Sequence, residues 1–157
     1  MKIKEKTMEE LELFEAASKD LFDTMQGFKD NLSVQFPLLD SDNWQYDKGS
    51  IKVCKADESG FKKRCRVGIS YNLKTTLSNE DAEQIWLLFK DWFNTRRLSQ
   101  VERNPNNEDL GRYVFLASSP LGDQVNCSIY LPNEWNIPQI SFSGYLTARY
   151  RACDLDK

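Results

Sequence analysis

Four cysteines constrain the fold of this chain more than any other feature of its sequence. Cys54, Cys65, Cys127 and Cys153 are spaced by 11, 62 and 26 residues, and the sequence contains no Cys-x-x-Cys pair. A structural zinc site takes ligand pairs roughly two to four residues apart, so this spacing disfavours metal binding. An even, widely spaced set in a small domain is typical of disulfide-bonded proteins from an oxidising compartment. We therefore expect the four cysteines to form disulfides, with no metal ligands, in an extracellular protein.

The spacing leaves the pairing of the cysteines open. Apolar residues alternate on both sides of a Ser-Gly pair, which predicts two antiparallel strands joined by a tight turn. Such a turn would place Cys54 directly opposite Cys65. We favour the pair Cys54–Cys65, which leaves Cys127 to pair with Cys153. The alternative set, Cys54 with Cys153 and Cys65 with Cys127, would join the two halves of the predicted sheet.

The N-terminal segment predicts a long amphipathic helix. Thr7 and Glu10 match the capping box with which many helices begin, and apolar residues then recur at helical spacing. Gly27 is expected to weaken the end of this helix, and Pro37 marks its exit. Residues 1–7 precede the helix and are expected to form a disordered tail.

A second helix is predicted to begin at Ser78, where Asp81 completes another capping box. Its apolar positions form a broad aromatic stripe suited to lying across a sheet, made of Ile85, Trp86, Phe89, Trp92 and Phe93. Arg96 and Arg97 follow, and cations near a helix C-terminus are stabilised by the helix dipole.

Alternating apolar residues predict three more strands in the C-terminal half, over residues 113–118, over residues 125–131 and from Ile140 onward. Residues 99–111 show no periodicity and are assigned to a polar loop. The order α-β-β-α-β-β-β predicts an α+β fold: an antiparallel sheet of about five strands with two helices packed on one face. No linker or repeat divides the chain, so residues 1–157 are expected to form a single domain.

The residue types found in most catalytic and cofactor sites are missing from the sequence. It contains no histidine, which is the commonest general base and transition-metal ligand. It also contains no glycine-rich phosphate loop and no Gly-x-Ser-x-Gly motif. The acidic cluster at Asp40, Asp42 and Asp47 lacks the third acid, the sixth-position glycine and the distal glutamate of a calcium loop. Ordinary polar loops explain this cluster and the pair Glu108 and Asp109. We expect no catalytic residue, no cofactor and no enzymatic activity.

The charge of the chain argues against nucleic-acid binding. Its 21 basic and 24 acidic residues give a net charge of -3, whereas nucleic-acid binders usually carry a strongly basic face. The basic run Lys62, Lys63, Arg64 and Arg66 alternates along a predicted strand, so it is divided between the two faces of that strand. Its simplest role is to keep a solvated strand from pairing with other chains.

No apolar run approaches the roughly 20 residues that a membrane helix needs. The N-terminus is charged and amphipathic, and it lacks the apolar core of a signal peptide. Because the cysteines indicate export, we expect a mature segment whose export signal was removed and replaced by Met1. Membrane contact through a helix of this chain is not expected.

Two tryptophans are candidates for contact with a partner. Trp135 lies in a loop between two prolines, beside Asn133 and Asn136. Rigid aromatic side chains flanked by amides are favoured anchors for protein or carbohydrate partners. Trp135 would otherwise fold back over the end of the sheet. Trp44 is a second candidate, for which burial in the core is the favoured interpretation.

Several short motifs follow one another in a definite order along the chain. A leading amphipathic helix runs into "NWQYD", and a strand with Cys54, a helix start at "SNED", a "GRYVF" strand and a late Ser-Gly strand near the final cysteine follow. This order resembles that of the actinobacterial LppA-type surface lipoproteins. The resemblance implies an exported protein anchored by lipid through an N-terminal cysteine, which this chain lacks. It implies no activity and no catalytic residues, and Cys65 and Cys127 have no counterpart in it.

We therefore expect an exported or lipid-anchored protein of the cell envelope, located at the cell surface. It would bind an unidentified protein or envelope component without catalysis. The alternative is a small inhibitor or immunity-type protein that binds an enzyme and blocks it, with the acidic first helix or the Trp135 loop entering the target. An enzyme that relies on carboxylates and tyrosines alone is a third hypothesis.

Overall fold

The computed structural model describes residues 13–39, 44–48, 53–56, 60, 63–96, 98–120, 122–134 and 137–150. In chain order its main elements are α1 (Phe14–Gln35), β1 (Gln45–Lys48), β2 (Val53–Ala56), β3 (Lys63–Lys74), α2 (Asn79–Asn94), β4 (Gln100–Asn104), β5 (Arg112–Ser118), β6 (Gln124–Tyr130) and β7 (Gln139–Tyr150). Short 3-10 turns cover Pro37–Leu39 and Glu108–Leu110. The predicted tail at residues 1–7 and the capping box of Thr7 and Glu10 lie outside the described residues.

The described strands form one antiparallel sheet in the order β1-β3-β7-β6-β5-β4, and β2 also pairs with β3, on the edge that β3 shares with β1. Helix α1 packs against β3 and β7, and α2 packs against β4 and β5, on one face of the sheet. The predicted α+β class, antiparallel sheet and pair of helices are confirmed. Within the described residues the sheet has seven strands, because the first predicted strand is divided into β1 and β2 and because β4 is additional.

Helix α1 continues through Gly27 to Gln35, and the weakening of its end by Gly27 stays a prediction. Gly27 lies where α1 crosses α2: a Cβ atom at this position would lie 2.8 Å from Cζ2 of Trp92. The indole NH of Trp92 donates a hydrogen bond to the carbonyl of Thr24 over 3.2 Å. Gly27 therefore permits a close approach of two helices, and the helix ends before Pro37, as predicted.

Helix α2 begins with the predicted capping box. The Ser78 hydroxyl accepts a hydrogen bond from the backbone NH of Asp81 over 3.1 Å, and the Asp81 carboxylate accepts one from the backbone NH of Ser78 over 2.9 Å. This exchange satisfies NH groups that a helix N-terminus otherwise leaves unpaired. The buried side chains of α2, which are Ala82, Ile85, Phe89 and Phe93, form part of the core. Its ends and its buried face therefore follow from the local sequence.

The assignment of residues 99–111 to a polar loop is wrong, because this segment contains β4 and a 3-10 turn. In β4, Arg103 pairs with Phe115 of β5 and lies on the helix-covered side, where alternation normally demands an apolar residue. Its guanidinium donates to Glu108 over 2.6 and 2.7 Å and to Glu83 of α2 over 2.5 and 2.8 Å. These hydrogen bonds from Arg103 lower the pKa of Glu83. The two glutamates thus balance the charge of Arg103. Because Arg103 occupies an inward position, the hydropathy of this segment does not alternate as it does in the other strands.

A buried ion pair ties the end of β7 to the turn between β5 and β6. Asp123 and Arg149 are 3% and 2% exposed, and Nη2 of Arg149 donates to Oδ2 of Asp123 over 2.6 Å. The backbone NH and the hydroxyl of Thr147 donate to Oδ1 of Asp123 over 2.8 and 2.7 Å. Thr147 lies where the register between β3 and β7 shifts, so the ion pair holds the irregular end of the sheet together.

Replacement of Gly27 by alanine is expected to destabilise the protein by about 1–3 kcal/mol, although alanine favours a helix over glycine by about 1 kcal/mol. The cause is the overlap between the new methyl group and the ring of Trp92. Urea unfolding of wild type, Gly27→Ala, Trp92→Leu and the double variant measures the coupling. Without the indole ring, Gly27→Ala should become neutral or stabilising. A stabilising effect in the wild-type background would contradict the close helix contact.

Removal of one partner of the buried ion pair is expected to cost about 3–5 kcal/mol, because Asp123→Ala leaves the Arg149 cation buried without compensation. The double variant Asp123→Ala/Arg149→Met should regain much of that stability, since neither charge remains. Thermal and urea unfolding of both variants test this. If Asp123→Ala alone unfolds like wild type, the pair does not hold β7 in place.

Candidate binding face

One predicted disulfide is present and the other is not. Cys54 of β2 and Cys65 of β3 lie opposite each other, and their sulfur atoms are 2.05 Å apart. This pairing and its register are those favoured from the sequence. Cys127 is a free thiol, so the predicted Cys127–Cys153 bond and the alternative Cys65–Cys127 bond are both wrong. Cys153 lies outside the described residues.

Cys127 is unpaired because it belongs to the centre of the core. It lies in β6 between Phe115 of β5 and Phe142 of β7, and its side chain is fully buried. Cys65 is two strands away, beyond β7, and is already bonded to Cys54. Burial raises the pKa of the Cys127 thiol well above its ordinary value, which keeps it protonated and unreactive. Cys127 therefore acts as a small apolar core residue.

Trp44, a candidate partner contact, is buried and is not available to a partner. It is 8% exposed, its ring centroid lies 5.0 Å from that of Phe142, and its indole NH donates to the carbonyl of Leu39 over 3.3 Å. The core interpretation favoured from the sequence is therefore the one that the structure supports. Asn133 is exposed, and its amide donates to the carbonyl of Leu110 over 2.6 Å. Trp135 and Asn136 lie outside the described residues.

The acidic clusters do not converge on a site in the part of the chain that the structure describes. Glu108 is bound to Arg103, and Asp109 is exposed in the adjacent 3-10 turn. Asp40, Asp42 and the side chain of Asp47 lie outside the described residues. Among the described residues, no group of three or more His, Cys, Asp or Glu side chains is placed to hold a metal ion.

The side of the sheet opposite the helices carries partly exposed side chains. Buried and partly exposed residues alternate strictly along β5 and along β6. The buried set faces the helices, and the second set is dominated by serine, asparagine, glutamine and tyrosine on β3, β6 and β7. We call this side the open face. The residues of the open face were not predicted as a site from the sequence, because the apolar residues alone identify each strand.

Six small uncharged side chains form the centre of the open face, and we call them the polar floor. The strand register places them in two rows across β3, β7 and β6: Asn72, Ser141 and Ser128 in one row, and Ser70, Ser143 and Asn126 in the other. None of the six side chains hydrogen-bonds to another described residue. Hydroxyl and amide groups both donate and accept, so the floor offers a dense set of unused hydrogen-bonding groups.

The two rows of the polar floor continue onto β5 and β4. Val114 and Leu116 of β5 extend them, followed by Asn104 and Glu102 of β4. A cavity of about 430 Å³ lies over this end and is lined by Glu102, Arg103, Asn104, Pro105, Asn106, Val114, Leu116 and Asn126. The cavity meets the polar floor at Asn126, which belongs to both, and we call the polar floor and this cavity together the trough.

Longer side chains border the trough on both sides. Tyr130 and Gln139 form one neighbouring row, where the guanidinium of Arg112 lies 5.7 Å from the Tyr130 ring centroid. Tyr145 and Gln124 form the row on the other side, and Tyr145 is 36% exposed. The trough therefore has an uncharged floor, an end where Val114 and Leu116 lie beside Glu102 and asparagines, and an aromatic residue on each border.

A smaller cavity, of about 270 Å³, lies beside α1 and the turn between β5 and β6. Its lining includes Asp20, Thr24, Arg96 and Asp123. The Asp123 carboxylate is already occupied by Arg149 and Thr147. The Asp123 carboxylate is therefore not available to a ligand in this cavity. The trough is the stronger candidate site because the six side chains of the polar floor have no hydrogen-bond partner among the described residues.

Comparison with known proteins finds no matching family model, no matching curated protein and no matching solved structure. The site therefore has to be interpreted from its own geometry. Within the described residues, neither helix has the length and apolar character needed to cross a membrane.

Alkylation is expected to separate the three described cysteines. In the native protein Cys127 should resist iodoacetamide because its thiol is buried and its pKa is raised. In denaturant without reductant Cys127 should be labelled, and Cys54 and Cys65 should be labelled only after reduction. Peptide mass spectrometry locates each label, and Cys127→Ser serves as the control. Labelling of Cys54 in unreduced, denatured protein would show that the disulfide is not formed.

Proposed function

We propose that this protein is a non-enzymatic binding domain of the cell envelope, and that it recognises its partner through the open face. The observation that carries the proposal is the polar floor, whose six side chains have no hydrogen-bond partner among the described residues. A stable sheet needs only one covered face, and here both described helices cover the same one. Among the described residues no element packs on the open face, so its side chains can contact a ligand.

The Cys54–Cys65 disulfide supports an oxidising, extracellular location for this domain. Export and a lipid anchor are proposed on the resemblance to LppA-type surface lipoproteins. A surface location suits the open face, because a binding domain on a lipid anchor can present that face to envelope components or to other proteins. The partner is proposed to be an envelope component.

The alternative function, a small inhibitor or immunity-type protein, is favoured by a different surface. The exposed residues of α1 include four acids, Glu15, Asp20, Asp23 and Asp30. Lys19 forms an ion pair with Asp23 over 2.9 Å, so part of this charge is balanced locally. A target enzyme with a basic site would be bound by this helix, and salt would weaken such binding.

A single bulky charge in the polar floor is expected to abolish binding. Ser143 is exposed at the centre of the floor, so Ser143→Arg should block the trough without disturbing the core. Thr76→Arg adds the same side chain at an exposed position outside the sheet and is the matched control. Capture of solubilised envelope material by immobilised wild type and by Thr76→Arg should be lost in Ser143→Arg.

Two outcomes would contradict this assignment. Equal capture by Ser143→Arg and wild type would remove the open face as the binding surface. Loss of capture in Asp20→Lys/Asp30→Lys, with Ser143→Arg unaffected, would support the inhibitor alternative. Circular dichroism and unfolding curves of each variant establish that the fold is retained.

A further inference from the structure

The geometry points to a ligand class for the trough: we propose that it binds a linear, uncharged polysaccharide that lies across the strands. This inference rests on the proposed function, because it assumes that the open face is the binding surface. It is carried by the chemistry of the polar floor, by the direction of the trough and by the positions of the charged residues around it.

The polar floor matches the hydrogen-bonding needs of a sugar chain. Sugar hydroxyls both donate and accept, as do the four serine hydroxyls and two asparagine amides of the floor. These six side chains have no partner among the described residues, so binding would not break internal hydrogen bonds. Short side chains such as serine also lose little conformational freedom when they are immobilised.

The direction of the trough suits a repeating polymer. Its two rows cross β3, β7, β6, β5 and β4, and neighbouring strands in a sheet lie about 4.8 Å apart. That spacing is close to the length of one pyranose unit, so successive sugars would meet equivalent positions on successive strands. Val114 and Leu116 provide apolar surface for the CH groups of a sugar ring at the cavity end. Tyr130 and Tyr145 provide aromatic surface on the two borders.

The charges around the trough disfavour ionic polymers. None of the six floor residues is charged. Charged residues lie at its margins and include Glu102 on β4, Asp47 of β1, which pairs with Ser70, Arg112 beside Tyr130, and Lys74. A nucleic acid needs a run of basic side chains along its phosphates, and the floor offers none. An acidic polysaccharide would likewise find no paired cations.

A peptide is also a poor fit to this surface. Peptides commonly bind sheets by adding a strand to an exposed edge, which satisfies their own backbone groups. Strands β6 and β7 are paired on both sides, so the floor offers no free edge. A ligand here must be bound by side chains alone, and the carbohydrate supplies its hydrogen-bonding groups along its whole length.

Titration with oligosaccharides of defined charge tests the proposal. The probes are cello-, malto-, manno- and N-acetylated chito-oligosaccharides of about six units, long enough to cross the trough, with oligogalacturonate of the same length as the charged comparison. Chemical shifts of ¹⁵N-labelled protein report binding. At least one neutral probe should shift amides of β3, β6 and β7, and oligogalacturonate should bind at least tenfold more weakly.

Variants then assign the contacts. Ser143→Arg and Tyr145→Ala should each weaken binding of the neutral probe at least tenfold, whereas Thr76→Arg and Tyr145→Phe should bind like wild type. The Tyr145→Phe control retains the ring and removes the hydroxyl, so it separates aromatic contact from hydrogen bonding. Shifts that map to α1 or to the turn between β5 and β6 would overturn the proposal.

The results also separate this inference from the proposed function. If no neutral probe binds up to about 10 mM, or if oligogalacturonate binds as tightly, the carbohydrate assignment is overturned. Envelope capture that still depends on Ser143 would then leave the open face as the binding surface. If capture is independent of Ser143 as well, both the ligand class and the proposed function fail.

Discussion

Packing of both helices on one side of the sheet is the constraint on which the rest of the structure depends, and Phe28 is at its centre. The Phe28 ring contacts Phe89, Trp92 and Phe93 of α2 and Phe142 of β7, with ring centroids 5.3 to 6.2 Å apart. One side chain of α1 thus joins the other helix and a central strand. Gly27 lets α1 approach Trp92 of α2 closely. Gly144 lets Met25 of α1 approach the backbone of β7, where a Cβ atom would overlap the Met25 side chain. No other described element packs on the opposite side of the sheet.

Features set by neighbouring residues could be predicted from the sequence. The Ser78 capping box and the register of Cys54 with Cys65 depend on short segments, and both are present as expected. Features that depend on contacts between residues far apart in the sequence could not be predicted. Strand β4 places Arg103 in an inward position, and that is stable only because Glu83 and Glu108 surround the guanidinium. Cys127 remains a thiol because strand order, which spacing does not reveal, puts β7 between it and Cys65.

The candidate site was hidden in the sequence for a related reason. Along β6 the apolar residues Val125, Cys127 and Ile129 predict the strand, and the intervening Asn126 and Ser128 look like ordinary solvated positions. Only the order of the strands shows that these residues stand beside serines and an asparagine of β7 and β3. A signal did exist: two neighbouring outward positions in the middle of each of three predicted strands carry serine or asparagine, in a chain that is 29% charged. Their grouping depends on topology, and topology was not available from periodicity alone.

The Cys54–Cys65 bond has a consequence for the order in which the sheet is completed. Strand β2 pairs with β3 through four residue pairs, at the edge of the sheet that β3 shares with β1. Without the disulfide, this short strand is held to β3 by backbone pairing and the connecting chain alone, while the central ladders of β5, β6 and β7 contain no disulfide. The polar floor lies on β3, β6 and β7, so it can assemble before the disulfide forms at the neighbouring edge. Oxidation of Cys54 and Cys65 would then fix an edge strand onto a sheet whose central strands are already paired.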